Sequence, residues 1–426
     1  MAYTRRHLLC GGASLLAVAA SFIARRGSAQ QIPAAPDRLV ESDVLAQAKA
    51  LQPKESHDAR QRVLRVGRRH QITTIDAAAR IARDGDIVEI DAGDYPDDVA
   101  TWPQSGIVIR AVGGRARLHS TRVAAEGKGI FVVKGDRVVV ENIEFSGARV
   151  PHRNGSGIRH EGGKLTVRNC LFEQNEMGLL TWNEQTAELV VESSEFRDNG
   201  VSPNHAPGDP IGHQLYAGLI DRFTLRDSYV HRGTVGHLVK SRAKESLIVN
   251  NRLTDEHDGR ASYELEFPSG GIAYVLGNII GQSAQTENEA IVSFGAEGYR
   301  WPDNELYLIN NTLIDELPRG GVFLRVRPGA GRIEAINNLL FGDGDLELAG
   351  AGEYRANFHA RAGDFAAPGL YDYRLKRGSK LVGKAEDPGS TGGVDPRPGR
   401  EYVHPRQSRP VRPQPYSPGA LQGLAP

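Results

Sequence analysis

The sequence predicts an all-β solenoid, in which short strands and turns repeat and stack on one another. One unit reads "VVVENIEF" at residues 138–145 and recurs as "LTVRNCLF" at 165–172 and "LYLINNTL" at 306–313. A second, weaker strand such as "SYELEF" at 262–267 falls between successive copies. Glycine is abundant, with 49 residues in 426, which suits many turns better than a helical bundle. A single unit cannot bury its apolar residues alone, so stacking is required.

A short polar residue marks the same turn in each unit. We align it at Asn142, Asn169, Ser193, Asp227, Asn251, Asn278, Asn311 and Asn338, spaced 24 to 34 residues apart. Such side chains satisfy backbone groups in turns and tolerate left-handed geometry. Stacked in register, they also form hydrogen bonds from one unit to the next. We therefore expect these residues to be structural and not catalytic.

Residues 1–29 predict an export signal. Arg5 and Arg6 precede an apolar run to Ile23, and Gly27, Ser28 and Ala29 are typical of a cleavage site. The segment resembles a twin-arginine signal, and an ordinary Sec signal is the alternative. Either signal implies a periplasmic or secreted protein. No other apolar stretch is long enough to span a bilayer.

Composition gives no support for a nucleic-acid partner and excludes an intramolecular disulfide in the exported protein. Lys and Arg together number 52, as do Asp and Glu, so bulk charge gives no reason to expect nucleic acid as a partner. Cys10 lies in the export signal, which leaves Cys170 alone. Because Cys170 stands among apolar neighbours, we expect it in the core and not as a nucleophile.

The remaining chain divides by composition. A polar lead-in covers residues 30–66, the repeats cover 67–385, and a Pro-rich tail covers 386–426. The tail is expected to wrap over the last repeats as a cap or to be partly disordered. A capped solenoid of this kind is expected to be a monomer.

The repeat resembles the right-handed parallel β-helix of the pectate-lyase-like superfamily. Residues 75–98, "IDAAARIARDGDIVEIDAGDYPDD", resemble its N-terminal entry, where a capping helix leads into the first strand. Residues 372–389 and 415–422 resemble its closing segments. The resemblance implies the fold but little chemistry, because this fold carries lyases, hydrolases, epimerases and non-catalytic proteins.

Alternation along the weaker strands predicts one exposed patch. Side chains of a strand point alternately to its two faces. We expect Tyr263, Leu265 and Phe267 inside, and Val239 and Leu215 inside on the two preceding strands. The outward patch then spans three successive strands and consists of Tyr216, Lys240, Arg242, Glu264 and Glu266. His213 and His237 occupy matching positions, which point either inward or to the rim.

Two long insertions flank this patch and predict a groove. Residues 200–214 precede the strand of Tyr216, and residues 295–304 follow the strand after the Glu pair. Loops beside a rigid sheet form walls. Tyr299 and Trp301, and also Trp182, are candidate surfaces for stacking sugar rings.

The patch suits β-elimination on a uronic-acid polysaccharide. That reaction needs a cation for the uronate carboxylate, a base and an acid. Arg242 suits the carboxylate, since its guanidinium binds carboxylates in a bidentate manner. Lys240, Tyr216, His213 and His237 are the candidate base and acid.

Two glutamates beside Lys240 would favour its charged form, whereas a lysine that acts as a base must be neutral. The conflict is relieved if Glu264 and Glu266 bind Ca²⁺, a cation that prefers carboxylate oxygens. Glu-x-Glu beside Lys and Arg resembles the arrangement in calcium-dependent chondroitinase-B-like and alginate-lyase-like β-helix enzymes. The full motifs of those families are not found, so calcium and the identity of the base stay open.

Two other functions remain open from the sequence. A glycoside hydrolase would use Glu264 and Glu266 as its carboxyl pair, but the Asn-Thr-Asp, Asp-Asp, Gly-His-Gly and Arg-Ile-Lys motifs of polygalacturonase-like enzymes are missing. A non-catalytic scaffold that binds exopolysaccharide would use the same charges only as a ladder on an exposed sheet.

Overall fold

A computed structural model describes residues 61–121, 123–201, 211–346, 352–411 and 415–425. The predicted export signal, the lead-in up to residue 60 and most of the 200–214 insertion lie outside these ranges. Within them, no helix is long and apolar enough to cross a membrane.

Parallel strands coil into a helix with three faces, which we call sheets A, B and C. Sheets A and B are joined into one network because Ile87–Pro96 and Val108–His119 run through both faces. The remaining strands of sheet A are Val63–Val66, Val138–Glu141, Lys164–Arg168, Glu188–Glu192, Arg222–Arg226, Glu245–Val249, Ile272–Leu276, Glu305–Ile309, Arg332–Ile336 and Gly352–Arg355. Those of sheet B are Ile143–Ser146, Leu171–Glu173, Glu195–Arg197, Tyr229–His231, Arg252–Thr254, Ile279–Gln282, Thr312–Asp315, Leu339–Phe341 and Phe358–Ala360.

Sheet C is a separate sheet of ten parallel strands and carries the site described below. Its strands are Ala100–Trp102, Gly129–Val133, Ser156–His160, Met177–Thr181, Leu215–Ala217, His237–Ser241, Tyr263–Phe267, Ala290–Phe294, Val322–Val326 and Asp345–Leu346. Each strand between the edge strands Ala100–Trp102 and Asp345–Leu346 pairs with the strand one coil earlier and one coil later. Equivalent residues on neighbouring strands of sheet C therefore lie about 4.8 Å apart.

One α-helix, Ile75–Ile81, covers the first coils. Thr74 is its N-cap and accepts a hydrogen bond from the Ala77 N–H. Asp98 accepts bonds from the first two helical N–H groups at 2.7 and 3.0 Å. The apolar side of this helix is buried, so it closes the core at this end.

The core fills the space between the three sheets. In its N-terminal half, Phe131, Phe145, Phe172 and Phe196 follow one another with ring centroids 4.5 to 5.1 Å apart. Such contacts add to the free energy gained from burial alone. Cys170 is fully buried, which confirms its predicted core position, and burial raises the pKa of its thiol to about 12.

The repeated turn between sheets A and B uses two adjacent positions, and not the single one that we aligned. The first position has positive φ and is exemplified by Asn142, Asn169, Ser193, Asp227, Asn250, Asn310 and Asn337. The second points inward and is exemplified by Cys170, Ser194, Ser228, Asn251, Asn278, Asn311, Asn338 and Asn357. The alignment therefore slipped by one residue between Asp227 and Asn251, because either position accepts asparagine.

The inward position forms a continuous ladder of hydrogen bonds. Asn278 Oδ1 accepts from the backbone N–H and the side-chain amide of Asn251, at 2.9 and 3.0 Å. Asn278 in turn donates to Asn311 Oδ1 at 3.1 Å and to the backbone carbonyl of Ile248 at 2.7 Å. The expected structural role of these asparagines is confirmed by these bonds.

Two 3₁₀ helices, Ala362–Asp364 and Pro368–Leu370, and two antiparallel pairs follow the last coil. The pairs are Phe365–Ala367 with Asp372–Leu375 and Arg400–Val403 with Gln407–Pro410. The described part of the tail returns to the coils, where Ala420 N donates to Thr312 Oγ1 at 3.0 Å and Glu386 N donates to Asn337 Oδ1 at 2.9 Å. Phe365, Tyr402 and Ala420 share one buried cluster with residues of sheet B.

Candidate functional site

Strands of sheet C break the simple alternation of side chains. Several place two consecutive residues in the core, as Leu238 and Val239, Ile291 and Val292, and Phe323 and Leu324 do. The residue before such a pair faces out, and so does the residue after it. In the strand Tyr263–Phe267 the inward pair is Glu264 and Leu265.

This break corrects two expectations. Glu264 is fully buried inside the β-helix and not on the outer face, and Tyr263 faces outward, where its ring lies 5.1 Å from that of His237. The break also explains which way the two histidines point. His213 and His237 lie on the outer side of sheet C, with their rings 4.7 Å apart.

The predicted outward register of the next position is confirmed. Tyr216 pairs with Lys240, and Lys240 pairs with Glu266 on the following strand. Leu215 and Val239 lie in the core, as expected. One polar ladder therefore crosses three strands of sheet C.

Arg242 lies at the centre of the site. Its Nε donates to Tyr216 Oη at 2.7 Å, and its Nη1 donates to Ser269 Oγ at 3.1 Å. Its Nη2 lies 2.6 Å from Glu297 Oε2. Burial opposes the charge of Arg242, but Tyr216 and Glu297 outweigh it and raise the pKa of the guanidinium above its ordinary value.

Lys240 lies between two carboxylates. Its Nζ is 3.2 Å from Glu266 Oε2 and 3.1 Å from Glu297 Oε1. Glu266 also meets His237 Nε2 at 2.7 Å. Burial would raise the pKa of Glu266, but the bond to His237 and the charge of Lys240 lower it instead. Glu266 is therefore held as a carboxylate, paired with both Lys240 and His237.

His213 is neutral and already has a partner. Its Nδ1 accepts the backbone N–H of His237 at 3.0 Å, which places any proton on Nε2. Burial, followed by the charges of His237, Lys240 and Arg242, lowers the pKa of His213 well below its ordinary value. In that tautomer Nδ1 is not free to accept a proton from a substrate.

Glu297 was not among the predicted site residues. It belongs to the 295–304 loop, which we singled out for its aromatic residues, and it reaches Lys240 across 57 residues of sequence. The one feature of the sequence that could have indicated Glu297 is that its loop was expected to form a wall of the groove beside Lys240 and Arg242. Burial would raise the pKa of Glu297, but Arg242 and Lys240 lower it.

Tyr299 and Trp301, predicted to bind sugar, serve to brace this loop. Trp301 Nε1 donates to the backbone carbonyl of Arg242 at 3.0 Å. Tyr299 Oη donates to the carbonyl of Arg327 at 2.6 Å, and its ring packs against Phe294. Both side chains are partly buried. They fix the loop that carries Glu297.

Trp182 is the exposed aromatic residue of this face. Its side chain is 57% exposed and follows the strand Met177–Thr181, two strands before that of Lys240. The Arg159 guanidinium lies 5.4 Å from its ring centroid. An aromatic face beside a cation therefore lies about 10 Å from Lys240 along the sheet.

The two carboxyls expected to hold Ca²⁺ do not form a common site. Glu264 lies inside the β-helix, and Glu266 on the outside is already neutralised by Lys240 and His237. Across the described ranges, no cluster of three or more His, Cys, Asp or Glu side chains is arranged to hold a metal ion. A calcium requirement therefore stays a prediction without a site in this structure.

The same geometry separates Glu264 from Glu266, the carboxyl pair that the glycoside hydrolase alternative requires. Glu264 cannot reach a substrate on the outer face. Glu266 and Glu297 flank Lys240 instead, but both have lowered pKa values. A glycosidase needs one carboxyl with a raised pKa as its general acid, so this pair does not suit that chemistry.

Comparisons with known proteins agree on the architecture. Residues 105–280 match the family described as a right handed beta helix region. The crystal structure of pectate lyase Pel9A matches with a TM-score of 0.57 and 15% sequence identity, over 85% of this chain and 98% of that chain. The predicted right-handed parallel β-helix is thereby confirmed.

A second solved structure, a pectin methylesterase variant in complex with a hexasaccharide, gives a TM-score of 0.31. It has 8% identity and covers 66% of this chain and 80% of that chain, a likeness too weak to support a conclusion. No curated protein matches the chain in sequence.

Proposed function

We propose that this chain, a right-handed parallel β-helix with the fold of pectate lyases, cleaves a uronic-acid-containing polysaccharide by β-elimination on sheet C. The observation that carries the proposal is the convergence of Lys240 and Arg242 on one carboxylate, with the Tyr216 hydroxyl 2.7 Å from Arg242. A cation pair beside a proton-transfer group is the arrangement that elimination next to a carboxylate requires.

Arg242 and Lys240 are assigned to the uronate carboxylate. Removing the C5 proton places negative charge on C5 and its carboxylate, and two cations fixed beside that group stabilise the charge where it develops. Both side chains are mostly shielded from water, with 15% and 12% of their surface exposed. Shielding strengthens this electrostatic effect.

Tyr216 is assigned to proton removal. Arg242 Nε donates to its oxygen at 2.7 Å, which fixes that oxygen beside the cation pair. The phenolate takes the proton from C5, the C4–O bond breaks, and a double bond forms between C4 and C5. The Lys240 ammonium then gives its proton to the departing oxygen, so that charge and protons balance.

The test is whether the unsaturated product of β-elimination forms, which is detected by its ultraviolet absorbance. The mature protein is mixed with alginate, polygalacturonate, chondroitin sulfate and dermatan sulfate, with calcium present in one series and chelated in the other. We expect product from one polymer, and a loss of about 10²–10⁴-fold in rate for Tyr216→Phe. Arg242→Lys and Lys240→Met are expected to be similarly impaired.

Lys244→Met is the matched control for Lys240→Met. Lys244 is 52% exposed, and its nearest acidic partner is 3.8 Å away, so its removal is expected to leave the rate unchanged. Absence of product from every polymer, with binding to one of them retained, would instead support the non-catalytic scaffold. The calcium series decides the metal requirement independently of any residue.

We also propose that the protein acts outside the cytoplasm, in the periplasm or after secretion. The support is the Arg5-Arg6 pair followed by an apolar run within residues 1–29. A reporter that is active only after export through the twin-arginine route tests it. Replacement of both arginines by lysine is expected to abolish that export.

A further inference from the structure

The two site cations share a carboxylate that the chain itself supplies. Glu297 Oε2 lies 2.6 Å from Arg242 Nη2, and Glu297 Oε1 lies 3.1 Å from Lys240 Nζ. One carboxylate bridging an arginine and a lysine is also what an acidic sugar would present to this pair. The site and its proposed ligand therefore compete for the same two cations.

We propose that Glu297 occupies, in the free protein, the position that a ligand carboxylate takes in the complex, and that binding requires the Glu297 side chain to leave. This proposal rests on the carboxylate-binding role of Lys240 and Arg242 proposed above. It makes Glu297 a gate that acidic sugars can open.

The loop backbone does not need to move for this exchange. Glu297 N donates to the carbonyl of Pro268 at 2.9 Å, and Arg300 N donates to that of Ser269 at 2.9 Å. The side chains of Tyr299 and Trp301 hold the same loop. The Glu297 side chain itself is 43% exposed, so rotation toward solvent is open to it.

The exchange selects for a ligand that carries a carboxylate. Lys240 and Arg242 are mostly shielded from water, and the loss of Glu297 leaves Arg242 with no carboxylate and Lys240 with Glu266 alone, which is costly. A neutral sugar that displaced Glu297 would leave them in that state. A uronate replaces the carboxylate it removes, so the net cost of opening is small.

Calorimetric titration with trigalacturonate on the whole protein tests the proposal. Glu297→Gln keeps the shape of the side chain but removes its charge, so the competitor is lost. We expect binding about tenfold tighter than in the natural protein, as when a closed state of about nine-tenths population is removed. The methyl-esterified trisaccharide, which lacks carboxylates, is expected to gain nothing.

Glu289→Gln is the matched control. Glu289 pairs with Arg325 at 2.8 Å on the same outer face of sheet C, away from the cation pair. Its change is expected to leave the affinity for trigalacturonate unaltered. Equal tightening in both variants would overturn the proposal, because it would then reflect only the net charge of the face.

A second readout needs no sugar. Trinitrobenzenesulfonate, an anionic reagent for amines, is applied to each variant, and modification of Lys240 is followed by mass spectrometry. We expect faster modification in Glu297→Gln than in the natural protein and in Glu289→Gln. Unchanged modification, weaker trigalacturonate binding or no binding at all by Glu297→Gln would each overturn the gate.

Both readouts are separate from turnover. If no polymer yields an unsaturated product but Glu297→Gln binds trigalacturonate more tightly, the lyase proposal fails and the gate stands. If product forms and Glu297→Gln alters neither binding nor modification of Lys240, the gate fails and the lyase proposal stands.

Discussion

Glu264 is a carboxyl side chain enclosed in the interior of the β-helix. Neither of its oxygens has a hydrogen-bond partner among the described residues. Burial, with a further contribution from the Asp255 carboxylate, raises its pKa well above the ordinary value. The folded protein therefore favours the protonated form of Glu264. Burying a carboxyl group that has no hydrogen-bond partner lowers the stability of the folded state.

Stability is predicted to depend on pH through Glu264. Its pKa is above the ordinary 4.5 in the folded state, so unfolding at a pH between these two pKa values releases a proton. The stability contribution is complete below that ordinary value and is lost as pH rises through the folded pKa. The loss is at most about 1.4 kcal/mol for each pH unit. Urea unfolding of the natural protein and of Glu264→Gln, across neutral pH, measures it.

The amide variant is expected to remove this slope and leave the contribution of Asp255, whose pKa is raised by burial to about 7. Glu245→Gln, on the outer side of sheet A, serves as control because its carboxyl is solvent-accessible. A wild-type slope that persists unchanged in Glu264→Gln would show that Glu264 is ionised in the folded state.

At the scale of elements, the asparagine ladder joins each coil to the next. The Asn251 N–H and side-chain amide both depend on Asn278 Oδ1, which comes from the following coil. These groups are buried, so no water replaces the lost partner. Removing one rung therefore affects two coils.

Asn278→Ala is predicted to cost at least about 2 kcal/mol of unfolding free energy. It leaves the Asn251 backbone N–H and one of the two amide N–H groups without an acceptor, while the other amide N–H keeps the carbonyl of Leu225. Each orphaned donor costs about 1–3 kcal/mol. Asn169→Gly is the control, since Asn169 is exposed and has a positive φ that glycine adopts readily. Equal losses in the two variants, measured by denaturant unfolding, would contradict a special role for the inward position.

Periodicity in the sequence was sufficient to predict the coils and the register of Tyr216, Lys240 and Glu266. It was not sufficient for Glu264, because strict alternation does not describe strands that place two consecutive residues inward. It also missed Glu297, whose partner Lys240 is 57 residues away and is reached only through the path of a loop. Local patterns determine which face a residue takes, whereas loop contacts require the assembled structure.

At the scale of the whole molecule, the two ends of the β-helix are closed differently. The helix Ile75–Ile81 covers the first coils with its buried side. The last coils are covered by the returning tail, in which Gly419 packs against Leu339 and Glu386 bonds to Asn337. Exposed ends of a parallel sheet invite pairing with other chains, so both covers protect solubility.

Deletion of residues from 386 onward is predicted to destabilise the protein and promote self-association. The deletion uncovers apolar residues of sheet B such as Ile279 and Leu339, and the backbone and side chain of Asn337 lose their partners in the tail. Light scattering and thermal unfolding, compared with the full chain, measure both effects. A monomeric deletion variant with an unchanged transition would show that the tail is not a cap.

The asparagine ladder has a direction. At each rung the backbone N–H is satisfied by the coil that follows, as Asn311 N is by Asn338 Oδ1, and never by the coil before. A chain cut after an asparagine rung thus leaves a backbone N–H and an amide N–H without their acceptor in the next coil, whereas a cut after Cys170, Ser194 or Ser228 leaves only the backbone N–H. A β-helix that grew toward the C-terminus would carry one unfinished rung at its leading coil, and each added coil would satisfy that rung and leave a new one.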